Sequence, residues 1–344
     1  MKKKSFRPHR SATMRDVAEL AGVSQPTVSR VLNKANTNIS ISDETRTRVM
    51  AAVAELNYHP NVLARSLRTQ KTQMIAVMVA HISNSFYHPI VASIQDVATS
   101  YDYDVMIANT DHVHRNEVHF CEAVTRRPVD GVIMVPIHLR TPDLAEFIAR
   151  TQTPVAVLGD QIDHPLIDVV HYDDQTSLAD ATVWLANGRG HRRFGLIGVG
   201  DDIDAGRRRV TAINGALTRL GLTIHPEHVA IGDFTIESGK RAASQLLQAS
   251  ELPSVVIALN DLMAIGAILG FQAAGLRVPE DIAVMGFDDI PEASIVRPAL
   301  TTIAQDSVEI GRKLAESLFR RIADPGMPRS WLSGKTRLIV RDST

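Results

Sequence analysis

The stretch from residue 13 to residue 33 constrains the fold of this chain more than any other, because it predicts two short helices joined by a tight turn. Thr13 lies three residues before Asp16, which is the spacing of a reciprocal helix cap. Ser24 can cap a second helix, and Pro26 is tolerated in its first turn, where no intrahelical N–H donor is needed. Gly22 occupies the turn. Six apolar residues are spaced to bury one face of both helices: Val17, Ala18, Val23, Val28, Val31 and Leu32.

The opposite face of the second helix is polar and rich in hydrogen-bond donors. It carries Gln25, Thr27, Ser29, Arg30 and Asn33. A helix with such a face fits the major groove of DNA, where base edges and phosphates present complementary groups. The stretch therefore predicts an element that binds nucleic acid.

The charge of the chain is unevenly distributed, although its formal net charge is only -1. Residues 1–71 contain 13 Lys and Arg against 5 Asp and Glu, whereas the remaining residues contain 24 basic and 33 acidic side chains. A basic head on an acidic body indicates that only the head meets nucleic acid. A solvated basic tail is the alternative explanation of the charge taken alone. A length of 344 residues leaves room for two or three domains.

Composition and the N-terminal sequence point to a cytoplasmic protein. Cys121 is the only cysteine, so the sequence contains neither a disulfide framework nor a cysteine metal cluster. Lys2, Lys3 and Lys4 are not followed by the apolar segment of a signal peptide. No apolar run reaches the roughly 18 residues that a membrane helix requires.

The motifs of enzymes are missing from the sequence, so we expect neither an enzyme nor a bound cofactor. The segments 188–190 and 198–200 lack the third glycine of a dinucleotide-binding loop, and no phosphate loop or nucleophile elbow occurs. His112, His114, Glu117 and His119 crowd together, but their spacing fits no standard metal site. We therefore interpret them as a solvated helix face and expect no metal.

The residues after the two helices complete the head. A polar loop covers 34–41, and Ser42 with two acidic neighbours begins a third helix, where the helix dipole favours negative charge. The apolar stripe of this third helix consists of Val49, Ala52, Val53 and Leu56. Pro60 ends it, and 61–67 predicts a further turn or two of helix that is marginal in isolation. We thus expect a disordered basic arm over 1–12, a head over 13–59, a hinge helix and linker over 60–73, and a body over 74–344.

The body alternates short apolar runs with amphipathic segments. This alternation predicts parallel sheets flanked by helices, and its length suits two such units. Arg337 to Val340 is also strand-like. The apolar runs are 75–79, 105–108, 132–135, 155–158, 194–197, 255–259 and 282–285.

Several motifs, in order along the chain, resemble the lactose-repressor/galactose-repressor family of bacterial transcription regulators. The segment 16–33 is similar to the helix-turn-helix of that family, and 279–289 and 300–305 are similar to segments of its ligand-binding body. Further matching segments are 56–61, 83–87, 130–131, 190–193 and 260–261. The resemblance implies an all-α helix-turn-helix head and a two-lobed α/β body like that of periplasmic binding proteins. The loop at 34–41 is about three residues longer than is usual for the family.

The resemblance also implies which residues contact DNA. Gln25 and Pro26 occupy the positions that set operator preference: a glutamine can pair with adenine, whereas a proline can only touch apolar groups such as a thymine methyl. Leu67 of the hinge helix would wedge open a base step in the minor groove. The full set of implied contacts is Thr13, Ser24, Gln25, Pro26, Thr27, Ser29, Arg30, Asn33, Asn61, Ala64 and Leu67.

An effector cleft is implied in the body. Matching by motif places Arg209, Asn260 and Asp288 in this cleft, with Phe86 and Tyr87 on the facing lobe. A carboxylate that accepts hydroxyl hydrogens, a guanidinium fork and an aromatic face together suit a sugar. Asp160 and Gln305 are weaker candidates. Helix capping is the alternative role of Asn260 and Asp288, and the arginines at 207–209 could instead favour an anionic ligand.

The expected function is that of a repressor of carbohydrate uptake or catabolism genes. The protein would bind a palindromic operator in double-stranded DNA as a homodimer and respond to a sugar or sugar derivative. A regulator that needs a corepressor or activates, and that answers to a nucleoside or sugar phosphate, is one alternative. A sugar-binding transport component is an alternative from another class. No membrane partner is expected.

Overall fold

A computed structural model describes residues 12–32, 41–59, 66 and 69–344 of the chain. The described residues form two compact units that divide after Thr72, and each unit is considered by itself. The predicted arm up to residue 11, the loop up to residue 40 and the hinge helix other than Ser66 lie outside the described residues.

The described residues of the first unit, the head, form three helices: α1 (Met14–Ala21), α2 (Gln25–Leu32) and α3 (Asp43–Glu55). The predicted reciprocal cap of α1 is present, because the Thr13 N–H donates to Asp16 Oδ2 at 2.7 Å and the Asp16 N–H donates to Thr13 Oγ1 at 3.3 Å. Gly22 ends α1 in the left-handed conformation, with φ of 64°, where a residue without Cβ is unstrained. Ser42 caps α3, since its Oγ accepts from the Thr45 N–H at 3.3 Å.

The core of the head consists of the apolar residues that the sequence spacing predicts. Val17, Val28 and Val49, one from each helix, have no exposed surface. Tyr58, which follows α3, joins the same cluster. Burial of Val28 and Val31 holds one face of α2 against the other helices and leaves the opposite face toward solvent.

The second unit, the body, consists of strands joined by helices. The strands are β1 (Met74–Val79), β2 (Asp104–Asn109), β3 (Gly131–Met134), β4 (Val155–Leu158), β5 (Ile167–Asp173), β6 (Phe194–Gly198), β7 (Val229–Ile231), β8 (Val255–Ala258), β9 (Ala283–Met285), β10 (Thr302–Ala304), β11 (Trp331–Lys335) and β12 (Arg337–Ile339). The helices are α4 (Tyr87–Ser100), α5 (His114–Arg126), α6 (Thr141–Thr151), α7 (Asp174–Asn187), α8 (Asp204–Arg219), α9 (Ile236–Leu246), α10 (Asp261–Ala273), α11 (Pro291–Ile295) and α12 (Ser307–Ala323).

Two parallel sheets divide the body into an N-lobe and a C-lobe. The N-lobe sheet has the order β11-β5-β4-β3-β1-β2, and the C-lobe sheet has the order β7-β6-β8-β9. β3, β6 and β8 are buried along their whole length, as expected for strands covered by helices on both faces. The expected two-lobed fold with parallel sheets flanked by helices is therefore confirmed.

The chain crosses between the lobes three times, and the crossings are hydrogen-bonded to one another. They lie at the junction of β5 and α7, at the junction of β10 and α12, and at Thr336 between β11 and β12. Thr336 Oγ1 donates to the Asp173 carbonyl at 2.8 Å, and Ser177 Oγ donates to the Thr336 carbonyl at 2.9 Å. β10 pairs with β12 in antiparallel fashion, so two of the crossings share a short ribbon.

A buried ion pair connects α12 to the N-lobe sheet. Arg321 donates from Nε and Nη2 to the two carboxylate oxygens of Asp168 at 2.8 and 2.7 Å, and both side chains are almost fully buried. The Ser330 N–H also donates to Asp168 at 2.7 Å. This carboxylate therefore connects β5 to α12 and to the segment that leads into β11.

All seven predicted apolar runs are strands, and the strand-like segment at the C-terminus is β12. The sequence pattern did not predict β5, β7, β10 or β11. β5 contains Asp168, and this charged residue interrupts the apolar pattern by which a buried strand is recognised. Its ion-pair partner, Arg321, is remote in sequence, so the burial of the aspartate is not apparent from the local pattern. β7 and β10 have three residues each, and neither lies in an apolar run of four residues as the equally short β9 does. Among the described helices, none has the length and apolar composition needed to span a membrane.

Candidate functional site

The exposed face of α2 presents the residues that the sequence analysis places against DNA. Gln25 and Pro26, at its beginning, are exposed, and Thr27, Ser29 and Arg30 are half-buried. The Thr27 hydroxyl lies 2.9 Å from Ser24 Oγ, which also accepts from the Thr27 N–H at 3.4 Å. Ser24 and Thr27 therefore hold the beginning of α2, whereas Gln25 and Pro26 project from a helix end fixed by the core.

The other predicted DNA contacts are placed as follows. Thr13 caps α1, and its hydroxyl donates to Asp16 Oδ2 at 2.8 Å. Its side chain is thus already in use within the head. Asn33, Asn61, Ala64 and Leu67 lie outside the described residues.

A cavity that opens to solvent lies between the two lobes of the body, and the empty space of the cavity together with its open mouth is about 890 Å³. Its walls come from segments that follow the strands of both sheets, because the carboxyl ends of parallel strands meet at one edge of each sheet. Asn84 follows β1, His112 follows β2, and Phe234 follows β7. Phe86, Tyr87, Arg209, Asp288 and Gln305, five of the seven predicted effector contacts, line it.

Arg209 on α8 is fixed from several sides. Its Nε donates to Asp174 Oδ2 at 3.1 Å and its Nη1 donates to the Leu259 carbonyl at 2.7 Å. The guanidinium carbon lies 3.6 Å from the centroid of the Phe287 ring, a cation–π contact. The fork is therefore held rigidly at the cavity wall.

Asp288 lies in a backbone conformation that few residues adopt, with φ of 122°. Its N–H donates to the Ile303 carbonyl at 2.8 Å, and Gln305 Nε2 donates to its Oδ1 at 2.8 Å. Burial raises the pKa of the Asp288 carboxyl to about 7, while the charge of Arg209 acts in the opposite direction. The strained turn and the amide of Gln305 together aim this carboxyl into the cavity.

Phe86 and Tyr87 form the aromatic part of the N-lobe wall. Their ring centroids lie 5.2 Å apart with the ring planes at 69°, an edge-to-face pair. Asn84 Oδ1 accepts the Phe86 N–H at 3.0 Å and so fixes the beginning of this segment. Burial raises the pKa of the Tyr87 hydroxyl, with Asp288 acting in the same direction. The phenol is therefore neutral.

The structure does not place Asn260 or Asp160 on the cavity wall. Asn260 Oδ1 caps α10 by accepting the Met263 N–H at 2.9 Å, and its Nδ2 donates to the Phe234 carbonyl at 3.1 Å. Its amide lies behind the wall and holds Phe234, which is itself in the left-handed region with φ of 66°. Asp160 lies beside the cavity, where its Oδ1 is 3.0 Å from Arg208 Nη1.

Many cavity residues were not predicted as effector contacts, and four with charged or aromatic side chains are Asp174, Arg208, His112 and Phe234. Asp174 and Phe234 follow β5 and β7, two strands that the sequence analysis did not predict. A search for polar or aromatic residues directly after each strand would have found them once those strands were known. Arg208 was considered only as one of three neighbouring arginines.

The interpretation of His112, His114, Glu117 and His119 as a solvated helix face was wrong for two of the four. Glu117 is fully buried and accepts three backbone N–H bonds, from Ile137, His138 and Leu139, at 2.8–3.0 Å. It therefore anchors the segment that follows β3. His112 precedes α5 and lines the cavity. Within the described part of the chain, no group of three ligating side chains could hold a metal ion.

Side chains of the N-lobe contact the C-lobe at several points, and one of these contacts, between His112 and Phe234, is on the cavity wall. The His112 ring stacks on Phe234 with centroids 5.3 Å apart. Asp202 of the C-lobe accepts from Arg140 Nη2 through its carbonyl at 3.0 Å, and its carboxylate lies 3.4 Å from His138 Nδ1. These contacts break if the lobes separate, so they favour the closed arrangement.

Comparison with known proteins agrees with both halves of this description. Residues 13–61 match the model of bacterial regulatory proteins, lacI family, and residues 186–344 match that of a periplasmic binding protein-like domain. The HTH-type transcriptional repressor CytR of Escherichia coli (strain K12) is 32% identical over 342 residues, which cover 99% of this chain and 98% of the relative.

Two solved structures extend the likeness to the whole fold. The Lac repressor dimer bound to operator and the anti-inducer ONPF is 27% identical with a TM-score of 0.83, covering 97% of this chain and 99% of that one. The complex of the transcriptional regulator CelR with cellobiose is 30% identical with a TM-score of 0.71, covering 97% of this chain and 100% of that one. The chain belongs to the lacI family of bacterial regulatory proteins.

Proposed function

We propose that this protein is a cytoplasmic transcriptional repressor of carbohydrate uptake or catabolism genes. It binds a palindromic operator as a homodimer and is switched by a sugar or sugar derivative. The observation that carries the proposal is that one chain combines a capped helix-turn-helix with an exposed polar face and a two-lobed body with a polar cavity. Its relatives are repressors, so the proposed function includes no catalytic step.

In this proposal α2 lies in the major groove and its first turn selects the sequence. Gln25 pairs with a base edge, Pro26 packs on an apolar base group, and Ser29 and Arg30 hold the backbone. Ser24 and Thr27 fix the helix end that presents them. Asn33, Asn61, Ala64 and Leu67 remain sequence-based predictions. The solved Lac repressor dimer is bound to operator, which supports a dimeric assembly on DNA here.

The cavity between the lobes takes the effector. Asp288 accepts hydroxyl hydrogens, Arg209 donates from the nitrogen that its internal partners leave, and Phe86 packs on the apolar face of a ring. The CelR structure contains cellobiose, which supports a carbohydrate in the equivalent fold.

Effector binding is coupled to operator binding because the cavity residues lie on both lobes. A ligand that touches Phe86 on one lobe and Arg209 on the other binds the closed body more tightly than an open one, so it shifts the population toward closure. Operator affinity changes by the same factor as effector affinity, because the two are thermodynamically linked.

The proposal is tested in two steps. The protein first selects sequences from a pool of randomised DNA duplexes, and gel shifts with the selected sequence are then run in the presence of a panel of sugars. We expect a palindromic consensus. The Gln25→Ala variant should lose the preference at one base pair of each half-site, whereas Gln248→Ala, which changes an exposed glutamine of the body, should keep the full consensus. Failure to enrich a palindrome would refute a sequence-specific regulator. A palindrome whose binding responds to no member of the panel would refute the sugar effector alone.

A further inference from the structure

The two arginines at the cavity are neutralised by carboxylates of the protein itself. Asp174 Oδ2 accepts from Arg209 Nε at 3.1 Å and lies 3.8 Å from Arg208 Nη2. Asp160 Oδ1 lies 3.0 Å from Arg208 Nη1. The neighbouring Arg207 is paired with Asp204 and with the Asp201 carbonyl. Each cationic side chain of this cluster therefore already has an anionic partner.

A third carboxylate, that of Asp288, makes the net charge at the cavity more negative. Asp288 is 7% exposed, lines the cavity, and accepts only the neutral amide of Gln305 among the hydrogen bonds of the described side chains. Two guanidinium groups, of Arg208 and Arg209, thus face three carboxylates, of Asp160, Asp174 and Asp288. When Asp288 is ionised, the net charge of these five groups is negative, which is the reverse of an anion-binding site.

The titration of two cavity residues sets the pH range in which this balance holds. Burial raises the pKa of Asp288 to about 7, with Arg209 and the Gln305 amide acting in the opposite direction, so the carboxyl is ionised at pH 8. Burial, with His81 and His138 nearby, lowers the pKa of His112 to about 4, so this imidazole adds no positive charge at neutral pH.

We propose that the effector is an uncharged, hydroxyl-rich molecule and that its phosphorylated counterparts are excluded. The inference rests on the proposed function, in that this cavity is the effector site. Asp174 Oδ1 and Asp288 Oδ2 have no hydrogen-bond partner among the described residues and can accept hydroxyl hydrogens. A phosphate group carries two negative charges and only acceptors, so against these oxygens it meets repulsion and no donors.

Paired ligands test the proposal by titration calorimetry on the full chain at pH 8. The pairs are glucose with glucose 6-phosphate, ribose with ribose 5-phosphate, and adenosine with its 5′-monophosphate. For any pair that binds, we expect the neutral member to bind at least about 100-fold more tightly, the size of effect produced by burying like charges together. A phosphorylated member that binds as tightly as its neutral partner overturns the proposal.

Inorganic phosphate provides a test that does not depend on the choice of sugar. We expect millimolar phosphate to leave the thermal unfolding of the wild-type chain unchanged relative to chloride of equal ionic strength. Asp174→Asn and the more exposed Asp160→Asn release guanidinium groups, so each should gain a phosphate-dependent stabilisation that the surface control Asp281→Asn lacks. If phosphate stabilises the wild-type chain and Arg208→Gln abolishes this, the site is an anion site and the proposal is wrong.

Failure of the proposed function has a different signature. The same gel shift that detects operator binding would then respond to neither member of any pair, whatever phosphate does to the stability of the chain.

Discussion

Replacing Asp288 with asparagine should weaken effector binding and stabilise the protein at the same time. Asparagine has nearly the same shape and the same backbone preferences as aspartate, so the turn with φ of 122° is kept. The substitution removes the negative charge and one of the acceptor oxygens. A hydrogen bond to a charged group contributes about 1.5–3 kcal/mol, so effector affinity should fall by about 10- to 150-fold.

The stability of the same variant follows from the raised pKa. An unfolded aspartate loses its proton near pH 4, whereas the folded carboxyl of Asp288 keeps it until about pH 7. Because the folded state binds more protons over this interval, the free energy of unfolding of the wild type falls as pH rises from about 4 to about 7. Asparagine removes this loss, so the variant should be more stable above pH 7, by an amount on the order of a few kcal/mol.

Both effects can be measured on one preparation. Calorimetric titration with the effector gives the affinity, and urea denaturation at pH 5 and pH 8 gives the free energy of unfolding. Asp281→Asn, which removes an exposed carboxylate paired with Arg277, is the control for the change of net charge. An effector affinity within threefold of the wild type would refute the reasoning about binding. The reasoning about stability would be refuted if the variant gained less unfolding free energy over the wild type at pH 8 than at pH 5.

Further predictions concern the head, the hinge and the body. Gln25→Ala should cost about 1–3 kcal/mol on the cognate operator and relax specificity at one base pair, measured by gel shifts against single-base operator variants; an equal loss on all variants would contradict base readout. Leu67→Ser should weaken binding to the specific operator while non-specific affinity is kept, and equal losses on both DNAs would remove the wedge. Asp168→Asn leaves Arg321 buried without its ion pair and should lower the free energy of unfolding by about 3–5 kcal/mol, whereas the double variant with Arg321→Met should recover part of it in urea denaturation. The pKa of His112 is lowered to about 4, so stability should fall as pH drops from about 6.5 toward 4, and His112→Phe should flatten that dependence.

The sequence predicted best where local pattern and burial agree. The reciprocal cap at Thr13 and the apolar face of α1 and α2 follow from spacing within a few residues, and both are present. Long apolar strands such as β1 are equally visible, because burial on both faces leaves few polar positions. β5 was missed because a buried charge inside it is stabilised by Arg321, which is remote in sequence.

At the cavity, the residue type could be predicted better than the direction of the side chain. Asn260 has the polarity of a ligand contact, but the first turn of α10 needs an acceptor for its free N–H groups, and the asparagine supplies it. Arg209 was expected to meet the ligand with its whole fork, yet Asp174 and the Leu259 carbonyl take part of it. Such competition between internal partners and ligand depends on tertiary contacts that no local pattern records.

The three chain crossings have a mechanical consequence. Asp174 and Gln305, two residues of the cavity wall, lie at two of the crossings, so a ligand there acts close to the axis about which the lobes rotate. A small rotation at that axis becomes a displacement that grows with distance from it, as along a lever arm. The hydrogen bond between Thr336 and Asp173 and the pairing of β10 with β12 tie the three crossings together, so they turn as one pivot when the lobes rotate. A ligand too small to contact both lobes would therefore still change the angle between them, provided that it binds the residues at the crossings.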